Sequence, residues 1–540
     1  MAMGDDAIAR ALLGRVMTVP SAAQGPVYLA VRRGGRKVLA VWGPPVAWEE
    51  GVRGVLAAGA GANDATGVVA YEVCLTHSPR RIDPGSESRL LTHAHRGLKG
   101  ICVQLDDRTV RFAPTDMIAR NLSFPRALEL AAEELVGGQP LPEDAAVSLF
   151  DAEQYLVFAG PPVRAVQMVR GKTPVRPQDV TQARVAAAAA AMARWLVSNV
   201  RDDGRMVYKY WPSLGAEADA NNMIRQWMAT LCLFRWARRQ GDGTIERVAQ
   251  RNLEYNLRTS YRQEDTLGII DCAGKVKLGA VALAALAVME SPKRAELAAV
   301  EQSLAATVDH LWSEGGAFRT FLRPEGRNDN QNFYPGEALL YWAHRLAERP
   351  DPPLLARFMQ TVENYQPWHR ARPNPAFVPW HTQAYCTVWR LTRDVRLHDY
   401  VLAMSDWLLP MQRWETAPFD DMRGRFYDPL HRDYGPPHAS SDGVYLEGLA
   451  HAFEMARESG DRIRQERYRL VIARGLRHLL QLQFADETDL FYVSKRENAS
   501  GGLRTTVYDN TIRVDNVQHA LMALMKVLDV FGPDDYRVVP

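Results

Sequence analysis

The chain has 540 residues, more than one hydrophobic core usually supports, so two domains are expected. With 47% hydrophobic and 24% charged residues it is neither fibrous nor low-complexity. A net charge of +2, with no run of five like charges, gives no bulk attraction to nucleic acid or a membrane surface.

The opening Met-Ala-Met-Gly-Asp-Asp lacks a basic segment followed by an apolar core, and no stretch is apolar for 18 residues. A cytoplasmic protein is the expectation. The five cysteines, Cys74, Cys102, Cys232, Cys272 and Cys386, are odd in number and show no zinc-site spacing with histidine. They suit a reducing compartment, and no metal or cofactor is expected.

Residues 1–165 read as an α+β domain. Strand-like runs at 27–31 and 37–42 flank Arg-Arg-Gly-Gly-Arg, a hairpin turn. Further strands are expected at 68–75, 100–105, 109–112, 146–150 and 154–158. Between them, 123–136 reads as a helix with Ser123 as N-cap and Pro125 in its first turn. The proline-rich segment 166–179 reads as a linker, and 532–540 as a tail.

Residues 180–531 repeat one phrase six times. A charged, amphipathic helix (180–200, 244–257, 294–312, 353–365, 397–412, 463–482) leads through a long loop into a more apolar helix. The apolar helices begin near Asn221, Val276, Phe333, His381, Ser441 and Asp515. Their small residues Ala229, Gly279, Gly336, Ala384, Gly448 and Ala520 recur roughly every 50 to 70 positions, a repeat architecture. Strict alternation of outer and inner helices predicts a mainly α fold, an (α/α)6 toroid of six helical hairpins, preceded by the smaller α+β domain. The long loops, with β-like runs at 206–210, 317–322, 425–427, 490–493 and 503–507, all fall at the inner helices' N-termini. One rim is elaborated and partly positive, which favours anionic groups.

Carboxylates, amides and aromatics gather on that rim, a mixture suited to a polyhydroxylated ligand. An inverting glycosidase needs two opposed carboxyl groups, and Asp271, Asp329, Asp442 and Asp515 lie on different hairpins. Proton abstraction beside a uronate carboxylate needs a base with cationic or amide support, and Tyr210, Asn222, Arg225, His381 and Tyr508 could supply it. Trp211 and Trp380, at loop–helix junctions, are stacking candidates; Asn332, Tyr385 and His519 complete the expected substrate-binding set. The expected catalytic set is Tyr210, Asp271, Asp329, His381, Asp442 and Asp515. Capping or dipole roles for Asp442, Asp515 and Glu337 remain open on sequence grounds.

The phrases FYPGEALLYWAHRLAERPD, SSDGVYLEGLAHAFEMARESGD and IRVDNVQHALMALMKVL resemble the repeats of (α/α)6-toroid proteins that act on carbohydrates. These include glucuronyl C5-epimerase C-terminal domains, uronate lyases, N-acylglucosamine 2-epimerases and inverting glycoside hydrolases. The resemblance implies an isomerase, lyase or glycoside hydrolase taking a small-molecule or glycan substrate by acid/base chemistry. Two alternatives stand beside it: a tailoring enzyme or cyclase using the ring for another substrate, and a binding or scaffold protein without turnover. The Cys/Cys/His and Asp/Cys/His zinc sites of lanthionine-cyclase-like proteins and protein prenyltransferase β-subunits cannot be assembled here.

Overall fold

The computed structural model describes residues 25–43, 69–158 and 164–538. The N-terminal segment that bears on a leader lies outside them, as do residues 159–163 near the end of the expected first domain.

The first domain is an antiparallel sheet. Strands β1 (Val27–Arg33), β2 (Arg36–Gly43), β3 (Val69–Ile82), β4 (Lys99–Leu105), β5 (Arg108–Phe112) and β6 (Ala146–Phe158) pair in the order 2-1-3-6-4-5. The two strands expected between 146 and 158 are one, β6. Its far half also pairs with β7 (Arg164–Met168). A short helix, α1 (Pro114–Ala119), precedes α2 (Phe124–Val136), which covers β4 and β5. The Ser123 side chain caps α2 by accepting from the Arg126 N–H at 3.3 Å, and Gly137 ends the helix in the left-handed conformation.

The segment 166–179 is packed rather than a free linker. Its start belongs to β7, and Arg170, Lys172 and Val175 are buried.

Twelve helices follow. The outer ones are α3 (Gln182–Ser198), α5 (Gly243–Ser260), α7 (Ala298–His310), α9 (Pro352–Ala371), α11 (Val395–Leu408) and α13 (Arg462–Leu482). The inner ones are α4 (Met223–Gln240), α6 (Leu278–Met289), α8 (Tyr334–Glu348), α10 (Phe377–Thr392), α12 (Ala439–Ser459) and α14 (Val514–Val530). Each inner helix packs on the next, and α14 returns to α4, closing the ring. The chain is a six-hairpin α/α toroid behind a smaller β-rich domain.

Sequence explains the inner layer. Every residue of α6, Leu-Gly-Ala-Val-Ala-Leu-Ala-Ala-Leu-Ala-Val-Met, is buried, as an almost wholly apolar helix demands. Each large apolar side chain so covered contributes about 1.5–3 kcal/mol. Glycines set the closest approaches: a Cβ on Gly448 would lie 2.8 Å from Pro379 Cα, and one on Gly336 would lie 2.6 Å from Trp380 Cβ.

Five outer-to-inner connections are long, but the fourth, 372–376, is short because α9 runs on to Ala371 and α10 begins at Phe377. Short strands do form in the loops: β8 (Lys209–Trp211), β9 (Ala216–Glu217), β10 (Tyr261–Glu264), β11 (Leu267–Cys272), β12 (Lys275–Lys277), β13 (Phe321–Arg323), β14 (Arg504–Thr506) and β15 (Asp509–Arg513). The runs at 425–427 and 490–493 form no named strand.

The small domain grips these loops. Arg170 Nε lies 2.7 Å from Asp421 Oδ2, and Lys172 Nζ lies 2.7 Å from Asp489 Oδ2; all four side chains are buried. Asn121 Nδ2 donates to Asp509 Oδ1 at 3.0 Å, and Arg96 donates to the Tyr508 carbonyl at 3.0 Å. The β14–β15 hairpin is therefore held from outside the ring, while β15 pairs with β8 at the rim.

Candidate active site

A cavity of about 370 Å³ opens at the N-terminal ends of the inner helices, a volume suited to a small ligand. Its walls are aromatic: Phe333 and Tyr334 at the start of α8, Trp380 on α10, Phe426, Tyr427 and Tyr434 on the fifth connection, and Tyr445 on α12. Polar groups converge between them.

Five expected residues meet here: Asn222, Arg225, Trp380, Asp515 and His519. Asp515, in the first turn of α14, is the hub. Arg513 grips both its oxygens, with Nε 2.9 Å from Oδ1, and Arg225 Nε lies 2.8 Å from Oδ2. Burial favours the neutral acid, but Arg513 and Arg225 outweigh it and hold the carboxyl below its ordinary range. Arg225 also donates to the Tyr208 hydroxyl at 2.7 Å, which fixes its guanidinium. Trp380 meets the His519 ring edge-on at 5.8 Å. The His519 Nδ1 faces Glu447 Oε2 at 3.7 Å, within ion-pair range. His519 thus stands between two carboxylates: Asp515 one turn earlier on α14, which its charge helps to lower, and Glu447 across the α12–α14 contact.

The remaining expected residues lie elsewhere. His381 is fully buried, stacked on Phe377 at 3.4 Å, with Nδ1 2.8 Å from the Phe377 carbonyl oxygen. Burial pushes it down to about 3, so it is a neutral core imidazole. Tyr385 is likewise buried, packed edge-on against Phe358. Asp442 accepts from the Phe426 N–H at 2.8 Å and lies 3.4 Å from His478 Nε2, anchoring the fifth connection from behind. Tyr210 is buried in β8 opposite Ile512, where burial raises its phenol. Trp211 carries Lys209 over its ring at 4.9 Å, away from the cavity wall. Asp271 accepts from the Gly274 N–H at 2.8 Å and shapes the β11–β12 turn. Asp329 pairs with Arg327, which holds it below the usual carboxylate range. Asn332 is outside the lining, and Tyr508 lies at the domain interface.

The structure adds groups that were outside the expected set. Glu337, one turn into α8, lines the cavity with its Oε2 buried and without a hydrogen-bond partner. Burial raises it to about 8, although the Lys277 charge pulls the other way. At neutral pH it is a carboxylic acid. Gly279 makes room for it, since a Cβ there would collide with Glu337 Oε2. Lys277, the N-cap of α6, is half-buried, has no ion-pair partner among the described residues, and is lowered by burial. His438 caps α12 by accepting from the Ser441 N–H at 3.0 Å, and burial lowers it. Gly336-Glu337 at an inner-helix start was the visible signal for Glu337. Nothing local marked His438.

The ring order places α8 and α14 opposite each other, each three neighbours away from the other. Glu337, a protonated acid, and the ionised Asp515 with His519 therefore come from facing walls. Among the described residues no group of three or more His, Cys, Asp or Glu could hold a metal ion, and no helix is long and apolar enough to cross a membrane.

No protein-family model and no curated protein matches the chain. Similar solved structures include an unsaturated glucuronyl hydrolase specific for heparin, at 12% identity over 64% of this chain and 97% of that one, TM-score 0.46. A D-mannose isomerase matches at 10% identity over 65% and 98%, TM-score 0.49. An α-1,6-mannanase of Salegentibacter sp. HEL1_6 matches at 11% identity over 63% and 98%, TM-score 0.44.

Proposed function

We propose that this protein is a carbohydrate-active enzyme that transfers a proton at a sugar carbon beside a carbonyl or carboxylate, in the manner of an isomerase, epimerase or lyase. The observation that carries the reading is Glu337: a buried acid, kept protonated to about 8, facing a histidine that has a carboxylate behind it. His519 is the base. Its Nδ1 side faces Glu447 Oε2 at 3.7 Å, and Nε2 is the nitrogen that accepts the substrate proton. Glu337 donates a proton to the oxygen on which negative charge develops. Lys277 and Arg225 stabilise that charge. The aromatic walls supply faces for a sugar ring.

A second reading is inverting hydrolysis, with Glu337 as acid and Asp515 as base. Their opposed placement and separated protonation favour it. Against it, two arginines occupy the Asp515 oxygens and lower its basicity.

The test is incubation in D2O with D-glucuronate, D-galacturonate, D-mannose and D-glucose, followed by proton NMR. Conversion with loss of one C–H signal, abolished in His519→Gln, supports proton transfer. Cleavage of a glycoside without C–H exchange would move the assignment to the second reading.

A further inference from the structure

The charges around the cavity are matched, with one exception. Arg225 and Arg513 share Asp515. Asp329, near the third wall, is taken by Arg327 at 2.8 Å. Asp428, the other acidic side chain of the lining, accepts from the Leu430 N–H at 2.9 Å on the fifth connection. Lys277 lines the cavity half-buried, and among the described residues it has no counter-charge. The charges of Lys275, Arg327 and Arg225 that act on it are all positive.

Two further features converge on the same corner. Lys277 is the N-cap of α6, and a lysine offers the first turn no acceptor, so the positive end of this 12-residue helix stays uncovered. Glu337 lines the cavity with its carboxyl against Gly279, in that same first turn, and its Oε2 is buried without a hydrogen-bond partner. Burial keeps Glu337 protonated, so it is a donor lacking an acceptor. Buried polar atoms are nearly always partnered. The ammonium, the open helix start and the unused O–H all lack the same thing, an anionic acceptor.

We infer that Lys277, the Glu337 carboxyl and the start of α6 form a carboxylate site, and that the substrate is a sugar acid rather than a neutral aldose. This rests on the reading of the cavity as a site of proton transfer, and it chooses between the carbonyl and the carboxylate which that reading allows. One unpaired ammonium matches one negative charge; a phosphate dianion would call for a second, and Arg225 and Arg513 are held by Asp515. The proton removed is then the one on the carbon that carries the carboxylate. It passes to His519 Nε2 on the facing wall, while its electron pair moves onto oxygens that Lys277 and Glu337 already hold. Returning the proton to carbon reverses both movements.

Calorimetric titration of the full chain compares sugars that differ at the acidic group: D-glucuronate with D-glucose, and D-galacturonate with D-galactose, with D-glucose 6-phosphate as the dianion. Wild type is expected to bind each acid about 10- to 100-fold tighter than its neutral counterpart, the usual worth of hydrogen bonds to a charged group. Lys277→Met should erase that ratio, and Lys277→Arg should keep most of it. Should the methionine variant melt far below wild type, Lys277→Gln takes its place. Each ratio compares two ligands on one protein, so lost stability does not imitate it. Equal binding of acid and neutral sugar, tightest binding of the phosphate, a ratio that survives loss of the ammonium, or no binding of any of these sugars overturns the carboxylate site. Exchange in D2O judges the proton-transfer reading separately: a Lys277-dependent preference for the acids without C–H exchange keeps the site and sinks that reading.

Discussion

Gly279 of α6 lies directly against the Glu337 carboxyl of α8, and a methyl group at 279 would occupy the space of Oε2. The small-residue mark that lets two inner helices approach is also the recess that receives the buried acid. Gly279→Ala is expected to destabilise by about 1–3 kcal/mol, the usual cost of overfilling a packed site. In a Glu337→Ala background the same change should cost much less. Urea unfolding of the four proteins gives the coupling, and strictly additive effects would disprove the contact's role.

Glu337 also sets a pH dependence. In the fold it keeps its proton up to about 8, whereas an ordinary glutamate loses it near 4.5. The native state holds the extra proton between those values, so stability falls as pH rises through this window. The contribution is full below 4.5, lost above about 8 and on the order of 5 kcal/mol. Activity requiring the protonated form should fall on the same alkaline limb. Glu337→Gln should flatten the stability profile between pH 4.5 and about 8, and lower turnover by about 10²–10⁴-fold. Denaturation midpoints across that range, with rates alongside, make the check.

Lys277 lowers Glu337 through its charge. Lys277→Met should therefore move the alkaline limb upward while weakening binding of acidic sugars more than neutral ones. A pH–rate profile and calorimetric titration with D-glucuronate and D-glucose separate the two effects. An unmoved limb would show that the ammonium does not reach the acid.

Asp515 bridges two guanidinium groups. Asp515→Asn leaves Arg225 and Arg513 facing one another across the rim, and should cost about 3–5 kcal/mol, as when one partner of a buried ion pair is removed. Chemical denaturation reads the loss. In wild type, acid should weaken the same contact as pH falls through the depressed Asp515 value.

At the domain interface, Arg170→Met strands Asp421 as a buried carboxylate and should likewise cost about 3–5 kcal/mol. Adding Asp421→Leu should recover part of it. No recovery in the double variant would mean that Arg170 acts through its hydrogen bonds to the Ala94 and Arg96 carbonyls instead.

The ring was legible because periodicity and small residues are local signals. The six inner-helix starts fall within a few residues of those expected, and Ala229, Gly279, Gly336, Ala384, Gly448 and Ala520 are all buried inside it. The site was legible only in part, because one helical step turns a side chain by about 100°. Trp380 faces the cavity while His381, the next residue, points back toward Tyr365 of the outer layer. Asp515 reaches the cavity, whereas Asp442, also in a first turn, reaches behind the fifth connection. Glu447 acquires its partner across a helix contact that no sequence spacing displays. The small domain's grip on Asp421 and Asp489 joins residues about 250 and 317 positions apart, beyond any local pattern.

That grip bears on how the chain can be divided. A fragment starting at Val180 would keep all twelve ring helices and discard Asn121, Arg170 and Lys172. Asp421 and Asp489 would be left uncompensated, and the hairpin that carries Arg513 would lose its outer brace. The seam visible in composition is thus no place to cut: the transplantable unit is the ring together with the domain that sets its rim.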